Sequence, residues 1–149
     1  MNREILFRGK RVDNGEWIEG FFAKSGDKTF ILIDNDIAVG YVAMKEVIAE
    51  TVGQFTGLTD KNGTKIFEGD ILRGYKYPYL SEGHFNYYAE VIYFENCPAF
   101  GLYTFKNPNL NFIAGISQGN TDFMDYWECE NWEVMGNIYD NPGLLEEKE

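Results

Sequence analysis

The amino-acid sequence predicts an all-β fold with little helix, in which an N-terminal antiparallel sheet is followed by a second β-structure. Aromatic residues make up 17% of the 149 positions, a composition that suits pleated, half-buried sheet surfaces. Short apolar runs also alternate with turns that contain glycine. Two of these runs, Val52–Leu58 and Ile66–Leu72, flank Asn62-Gly63, and this dipeptide between apolar arms indicates a tight hairpin turn.

The second arm of this hairpin contains two further residues that we expect to shape the backbone. Gly69 permits a geometry that other residues resist, and Asp70 can form local hydrogen bonds before the chain re-enters a strand. Together with Asn62 and Gly63, they form a predicted structural turn without a reactive group.

The segment from about residue 4 to 58 is expected to form the N-terminal sheet. Ile5–Val12 and Glu16–Ala23 flank the turn residues Asp13-Asn14-Gly15 and so predict a first hairpin, and Thr29–Ile33 predicts a third strand. A period of two places Trp17, Glu19 and Phe21 on one face, so the alternation of apolar and polar residues is imperfect.

Two segments allow a helical interpretation. Met44–Val52 has apolar residues at helical spacing but leads directly into a strand-like stretch, so both interpretations stay open. Thr121–Trp127 is predicted to form one helical turn with Thr121 as its cap. Strands are predicted at Ala89–Phe94, Phe100–Phe105 and Trp132–Tyr139, before a charged tail at 143–149.

Three segments resemble the YopX-like proteins of phages and prophages in Gram-positive bacteria. The central segment runs from Val52 to Ile71 and includes Val-Gly-Gln-Phe-Thr-Gly-Leu, Asp-Lys-Asn-Gly and Ile-Phe-Glu-Gly-Asp-Ile. Arg3–Gly9 is similar to the opening segment of the family, and Val134–Pro142 is similar to its closing segment. The resemblance implies an all-β chain whose residues 66–140 form a small SH3-like β-barrel. It implies no established activity and no catalytic residues.

The charge of the chain makes nucleic acid an unlikely partner. There are 24 acidic residues against 13 basic ones, a formal charge of −11, which repels the phosphate backbone that supplies most of the affinity in nucleic-acid binding. No run approaches the roughly 20 apolar residues that span a bilayer, and the first residues do not resemble a signal peptide. We therefore expect a protein of the bacterial cytoplasm without a membrane partner.

The sequence predicts no catalytic, cofactor or metal site. Cys97 and Cys129 are far apart and are expected to be free thiols in a reducing cytosol. His84 is the only histidine, and with these cysteines it lacks the close ligand spacing of zinc sites. No glycine-rich phosphate loop is present, so no cofactor is expected.

Carboxylates between residues 122 and 133 offer an enzymatic alternative. The cluster lies among aromatic residues and consists of Asp122, Asp125, Glu128, Glu130 and Glu133. Paired carboxylates beside rings are used by glycoside hydrolases, and oxygen ligands also bind divalent cations. The simpler interpretation is a solvated acidic face.

The aromatic stretch after Leu72 is the candidate interaction surface. Tyrosine buries area while keeping a polar end, which suits protein contacts. The candidate residues are Tyr75, Tyr77, Tyr79, His84, Phe85 and Tyr87. The alternative is that these rings pack on their own sheet, and the sequence does not decide between the two.

The preferred hypothesis is a non-enzymatic phage or prophage protein that acts as an interaction or assembly module, as a homo-oligomer or with an unknown protein partner. A nucleic-acid-directed or nucleic-acid-mimicking host factor is the second hypothesis, based on the expected barrel, the aromatic stretch and the charge. A carbohydrate- or metal-dependent enzyme that uses residues 122–133 is the third.

Overall fold

A computed structural model of the chain describes residues 4–36, 41–74, 87–94, 99–106, 120–123 and 132–145. Within these ranges the all-β prediction is confirmed, because the strands form antiparallel sheets and the helical residues are confined to the short 3₁₀ turns Ala49–Thr51 and Pro142–Leu145. The strands are β1 (Phe7–Lys10), β2 (Trp17–Ser25), β3 (Lys28–Asp36), β4 (Tyr41–Val47), β5 (Gly53–Thr59), β6 (Lys65–Phe67), β7 (Asp70–Gly74), β8 (Tyr87–Tyr93), β9 (Phe100–Lys106), β10 (Asn120–Phe123) and β11 (Trp132–Asn137).

The chain forms two compact units, residues 1–57 and residues 58–149. The boundary between the two units, after Gly57, falls within strand β5. The boundaries expected from the sequence, 4–58 and 66–140, stay predictions, and so does closure of the second segment into an SH3-like barrel.

In the first unit the strands lie in the order β4-β3-β2-β1-β5. An antiparallel bridge between Arg11 and Val47 also brings the end of β1 to the end of β4. Ile31, Val47 and Thr29 share one face of the sheet and are buried. Gly9 belongs to the same face, and a Cβ there would lie 3.0 Å from the Val47 Cβ, so the close approach of these strands favours glycine. We call this buried face the inner face.

The second unit contains a sheet with the order β10-β9-β8-β7-β11. Period-two alternation directs apolar side chains of its strands into one core, which Ile66 of β6 joins. This core consists of Ile66, Leu72, Ala89, Val91, Leu102 and Trp132, with Leu58 and Val134 packed against it.

One local prediction differs from the structure, and one interpretation that the sequence left open is decided by it. The helical turn predicted at Thr121–Trp127 is wrong at residues 121–123, which belong to β10 and pair with β9, and residues 124–127 lie outside the described ranges. Met44–Val52 contains both alternatives, because Met44 to Val47 end β4 and Ala49–Thr51 form a 3₁₀ turn. Pairing with a neighbouring strand overrides weak local propensity in the first case.

Candidate interaction surface

A row of apolar side chains crosses strands β2, β3 and β4 on the face opposite the inner face. The strand register places Phe21 opposite Leu32, and Leu32 opposite Met44. Phe21 is 61% exposed and Met44 is 55% exposed, whereas Leu32 between them is half-buried. We call these three residues the outer row. A contiguous exposed apolar surface of this kind is typical of sites that contact other proteins.

Part of one edge of strand β2 has no neighbouring strand within the described ranges. Its pairing with β1 extends from Trp17 to Gly20, whereas its pairing with β3 extends from Phe21 to Ser25. On the side of β1, residues 21–25 therefore have no strand neighbour within the described ranges. We call this segment the free edge of β2. Phe22 within it is 40% exposed, although its ring lies 5.5 Å from that of Phe7, measured between centroids.

Charged residues of both signs surround these apolar residues. Arg8 and Lys10 approach the ring of Trp17, with Arg8 Cζ at 4.7 Å and Lys10 Nζ at 5.7 Å from its centroid. These distances are those of cation–π contacts. Glu19 stands opposite Arg8 in the strand register. An apolar centre with a polar margin of mixed charge is the usual composition of a protein interface.

Most of the acidic excess of the chain belongs to the second unit. Residues 1–57 contain seven basic and nine acidic residues, whereas residues 58–149 contain six basic and fifteen acidic residues. The first unit is therefore close to neutral. Electrostatic repulsion between two copies is weakest where their first units approach each other.

Of the aromatic residues predicted to form the interaction surface, Tyr87 alone belongs to the described residues. Tyr75, Tyr77, Tyr79, His84 and Phe85 lie outside the described residues, and so do Cys97 and Cys129. The backbone of Tyr87 begins β8 and pairs with Gly74. The role of this stretch stays a prediction. The outer row was not singled out from the sequence, although the placement of Trp17, Glu19 and Phe21 on one face was a signal for a solvent-facing side.

Two of the predicted turn residues, Asn62 and Gly63, lie in a network of hydrogen bonds that centres on Asp60. Asp60 is 6% exposed, and its Oδ1 accepts hydrogen bonds from the backbone N–H groups of Asn62 (2.8 Å) and Thr64 (2.9 Å). Its Oδ2 accepts one from the N–H of Val134 at 2.9 Å. Gly63 has a φ of 81°, which favours glycine, and its N–H donates to the Asp60 carbonyl. One carboxylate thus holds the turn and connects it to β11.

A second buried aspartate organises the next turn of the chain. Asp70 is 1% exposed, and its Oδ2 accepts a hydrogen bond of 2.8 Å from the N–H of Phe67. Gly69 has a φ of 90°, and its N–H donates to the carbonyl of Val91 at 2.9 Å. The structure therefore gives Gly69 and Asp70 architectural contacts within the second unit.

Of the acidic cluster at 122–133, the structure describes the side chain of Glu133. This carboxylate accepts a hydrogen bond from Arg73, and Lys61 Nζ lies 4.0 Å from it. The hydrogen bond from Arg73 holds the pKa of Glu133 below its usual 4.5. Glu133 is therefore ionised at neutral pH, so of the two carboxyl groups of a glycosidase it does not fit the one that must be protonated. The ion pairing of Glu133 stabilises the fold at pH values above 4.5. This stabilisation is lost as the pH falls through the lowered pKa of Glu133. Asp122 contributes backbone to β10, and residues 124–131 lie outside the described residues.

Glu90 on β8 has the opposite pKa shift. Burial raises its pKa above 4.5, and the nearby Glu68 carboxylate adds to this effect. We expect Glu90→Gln to raise the free energy of unfolding at neutral pH by at most about 1 kcal/mol, after discounting for solvent screening. The benefit should shrink as the pH falls through the raised pKa, because the wild-type carboxylate then becomes protonated. Urea denaturation between neutral and acidic pH measures this, with exposed Glu16→Gln as the control. A benefit that grows on acidification contradicts the assignment.

A depression of about 160 Å³ in the first unit is lined by Arg11, Val12, Asp13, Lys45 and Glu46. Arg11 donates a hydrogen bond of 2.6 Å to Asp13, so part of the positive charge there is neutralised. This volume is below that of usual small-molecule sites, roughly 300 Å³ or more.

Among the described residues, no group of three or more His, Cys, Asp or Glu side chains is arranged to hold a metal ion. The same part of the chain contains no helix with the length and hydrophobicity that crossing a membrane requires.

Comparison with known proteins places the fold in a wider context. The model of a family described as YopX protein matches residues 6–146. The chain is also similar to the crystal structure of protein EF1440 from Enterococcus faecalis, with a TM-score of 0.50 and 24% sequence identity over 97% of this chain and 100% of that one. A likeness at this identity shows a common fold. No protein of curated function matches the chain.

Proposed function

The chain belongs to the YopX protein family, and from this membership we propose that it is a phage or prophage protein of the bacterial cytoplasm that acts by binding another protein rather than by catalysis. The observation that carries this proposal is the outer row, in which Phe21 and Met44 are more than half exposed in the same line of side chains. Large apolar side chains grouped in this way gain free energy when a partner covers them.

The partner that we propose is a second copy of the chain. The first unit is close to neutral although the whole chain carries a formal charge of −11. Two copies can therefore approach through their first units with the least repulsion. Beside this surface, Arg8 stands opposite Glu19 in the strand register, and Lys28 Nζ lies 3.9 Å from the carboxylate of Glu46. A margin with both signs of charge is compatible with a copy of itself.

Static light scattering after size-exclusion chromatography tests this proposal. We expect the wild-type protein to have a mass above the 17.2 kDa of one chain, and Phe21→Ser to shift it towards that mass. The matched control is Met135→Ser, because Met135 in the second unit is also exposed and the same polar residue replaces it. Phe21→Ser should change the free energy of unfolding by only about 0.5 kcal/mol, because the side chain is largely exposed.

A wild-type protein that is monomeric at every concentration contradicts the proposal. So does an oligomer that Phe21→Ser leaves intact while Met135→Ser dissociates it, since this result places the contact in the second unit.

A further inference from the structure

The free edge of β2 presents backbone hydrogen-bonding groups in a defined order. The N–H of Arg11 donates to the carbonyl of Glu16 at 2.9 Å, which shows that Glu16 directs its backbone groups towards β1. In an antiparallel strand this direction recurs at every second residue, so Phe22 and Lys24 direct their N–H and C=O groups to the same side. Both residues lie beyond the last pair between β1 and β2, which is Phe7 with Gly20.

We propose that two copies of this chain associate by antiparallel pairing of their free β2 edges, with Ala23 of one copy opposite Ala23 of the other on a twofold axis. This inference rests on the proposed function and specifies how the second copy binds. An edge strand with unpaired backbone groups is a template for another chain, and a twofold axis makes the contact isologous and closed at the dimer.

The direction of the backbone groups selects Ala23 as the centre of the pairing between the two copies. With Ala23 at the centre, Phe22 of each copy faces Lys24 of the other, and these are the residues whose backbone groups point to the free edge. The two pairs exchange four backbone hydrogen bonds in total. A register centred on Phe22 forms only one such pair, because Gly20 already pairs with Phe7. A register centred on Lys24 places two like charges directly opposite each other, which is unfavourable.

The side chains agree with the same register. Phe22 and Lys24 project from one face of β2, so the ammonium group of Lys24 in one copy lies beside the ring of Phe22 in the other, a cation–π arrangement. Phe22 is 40% exposed and Lys24 is exposed, so both are accessible. On the opposite face, Phe21 of each copy stands directly opposite Ser25 of the other. The pairing thus gives both phenylalanines a neighbour in the other copy and brings the two outer rows side by side on one continuous sheet face.

Disulfide cross-linking tests the register, in a background with Cys97→Ser and Cys129→Ser. Opposite residues of a non-hydrogen-bonded pair have Cα atoms about 4.5 Å apart, within the range of about 4.4–6.8 Å that a disulfide spans. We therefore expect Ala23→Cys to form a covalent dimer with oxidised glutathione as the oxidant. The matched control is Ser25→Cys, whose copies lie roughly 13 Å apart in this register and should not cross-link.

A second variant blocks the edge without a new thiol. Lys24→Pro removes an N–H that points away from β3, and proline is tolerated at such edge positions. It should raise the dissociation constant of the dimer by at least about tenfold, because both copies lose a backbone hydrogen bond. Lys24→Ala retains the N–H and should have a smaller effect.

The outcomes separate this inference from the proposed function. A dimer that is lost in Phe21→Ser but neither cross-links through Ala23→Cys nor weakens with Lys24→Pro overturns the β2 pairing and leaves self-association in place. Cross-linking that is equal at positions 23 and 25 overturns the register. A monomeric wild-type protein overturns both proposals.

Discussion

Asp60→Ala is expected to lower the free energy of unfolding by about 3 kcal/mol. The substitution removes the acceptor of three backbone N–H groups, those of Asn62, Thr64 and Val134. These donors lose a charged partner at a site where Asp60 is only 6% exposed, and an unsatisfied buried donor costs about 1–3 kcal/mol. The turn and its connection to β11 should loosen together. Urea denaturation with far-ultraviolet circular dichroism measures the change.

Two controls identify the carboxylate as the cause. Asp60→Asn keeps one side-chain oxygen acceptor and should lose about half as much stability. Asp13→Ala removes an aspartate whose side chain is 64% exposed and paired with Arg11, and should change stability far less than Asp60→Ala does, because an exposed ion pair is screened by solvent. Equal losses for Asp60→Ala and Asp13→Ala would show that Asp60 does not hold the turn.

Gly20→Ala is expected to destabilise the first unit by about 3 kcal/mol. A Cβ at this position would lie 2.1 Å from the carbonyl oxygen of Leu32 and 3.0 Å from Ile31 Cγ2. The obstacle is backbone, so it can be relieved only by moving β2 away from β3. The same movement displaces the free edge of β2, and we expect Gly20→Ala to weaken self-association as well.

The matched control for this prediction is Gly143→Ala. A Cβ at Gly143 would have no neighbour within 4 Å, and the effect on stability should be within about 0.5 kcal/mol. Thermal unfolding by circular dichroism compares the two variants. A melting temperature of Gly20→Ala equal to that of the wild type is incompatible with the close approach of β2 and β3.

The parts of the fold that were predictable from the sequence are those determined by residues close together along the chain. The hairpin at Asn62-Gly63 follows from a dipeptide that favours one turn geometry, and the all-β class follows from short apolar runs between such turns. The contacts of Asp60 are only partly predictable from residues close to it in the sequence. Its contacts with Asn62 and Thr64 are local, but Val134 lies 74 residues further along the chain, and only the folded sheet brings it close.

The candidate surface was less predictable for a related reason. A period of two groups Trp17, Glu19 and Phe21 on one face, but the pattern does not tell which face of the sheet the chain covers. The free edge of β2 exists because the pairing of β2 with β1 stops at Gly20, opposite Phe7, whereas the pairing of β2 with β3 continues to Ser25. The relative length of paired strands depends on tertiary contacts, which the spacing of apolar residues does not encode.

The central claim is that two copies associate through their nearly neutral first units although each chain carries a charge of −11. Sedimentation equilibrium at different salt concentrations tests this claim most directly. Raising the salt from about 0.01 M to about 1 M shortens the Debye length from about 30 Å to about 3 Å. Because screening removes the repulsion while apolar and backbone contacts remain, we predict that the dimer becomes tighter over this range. A dimer that dissociates as salt is added, or a protein that stays monomeric throughout, contradicts the prediction.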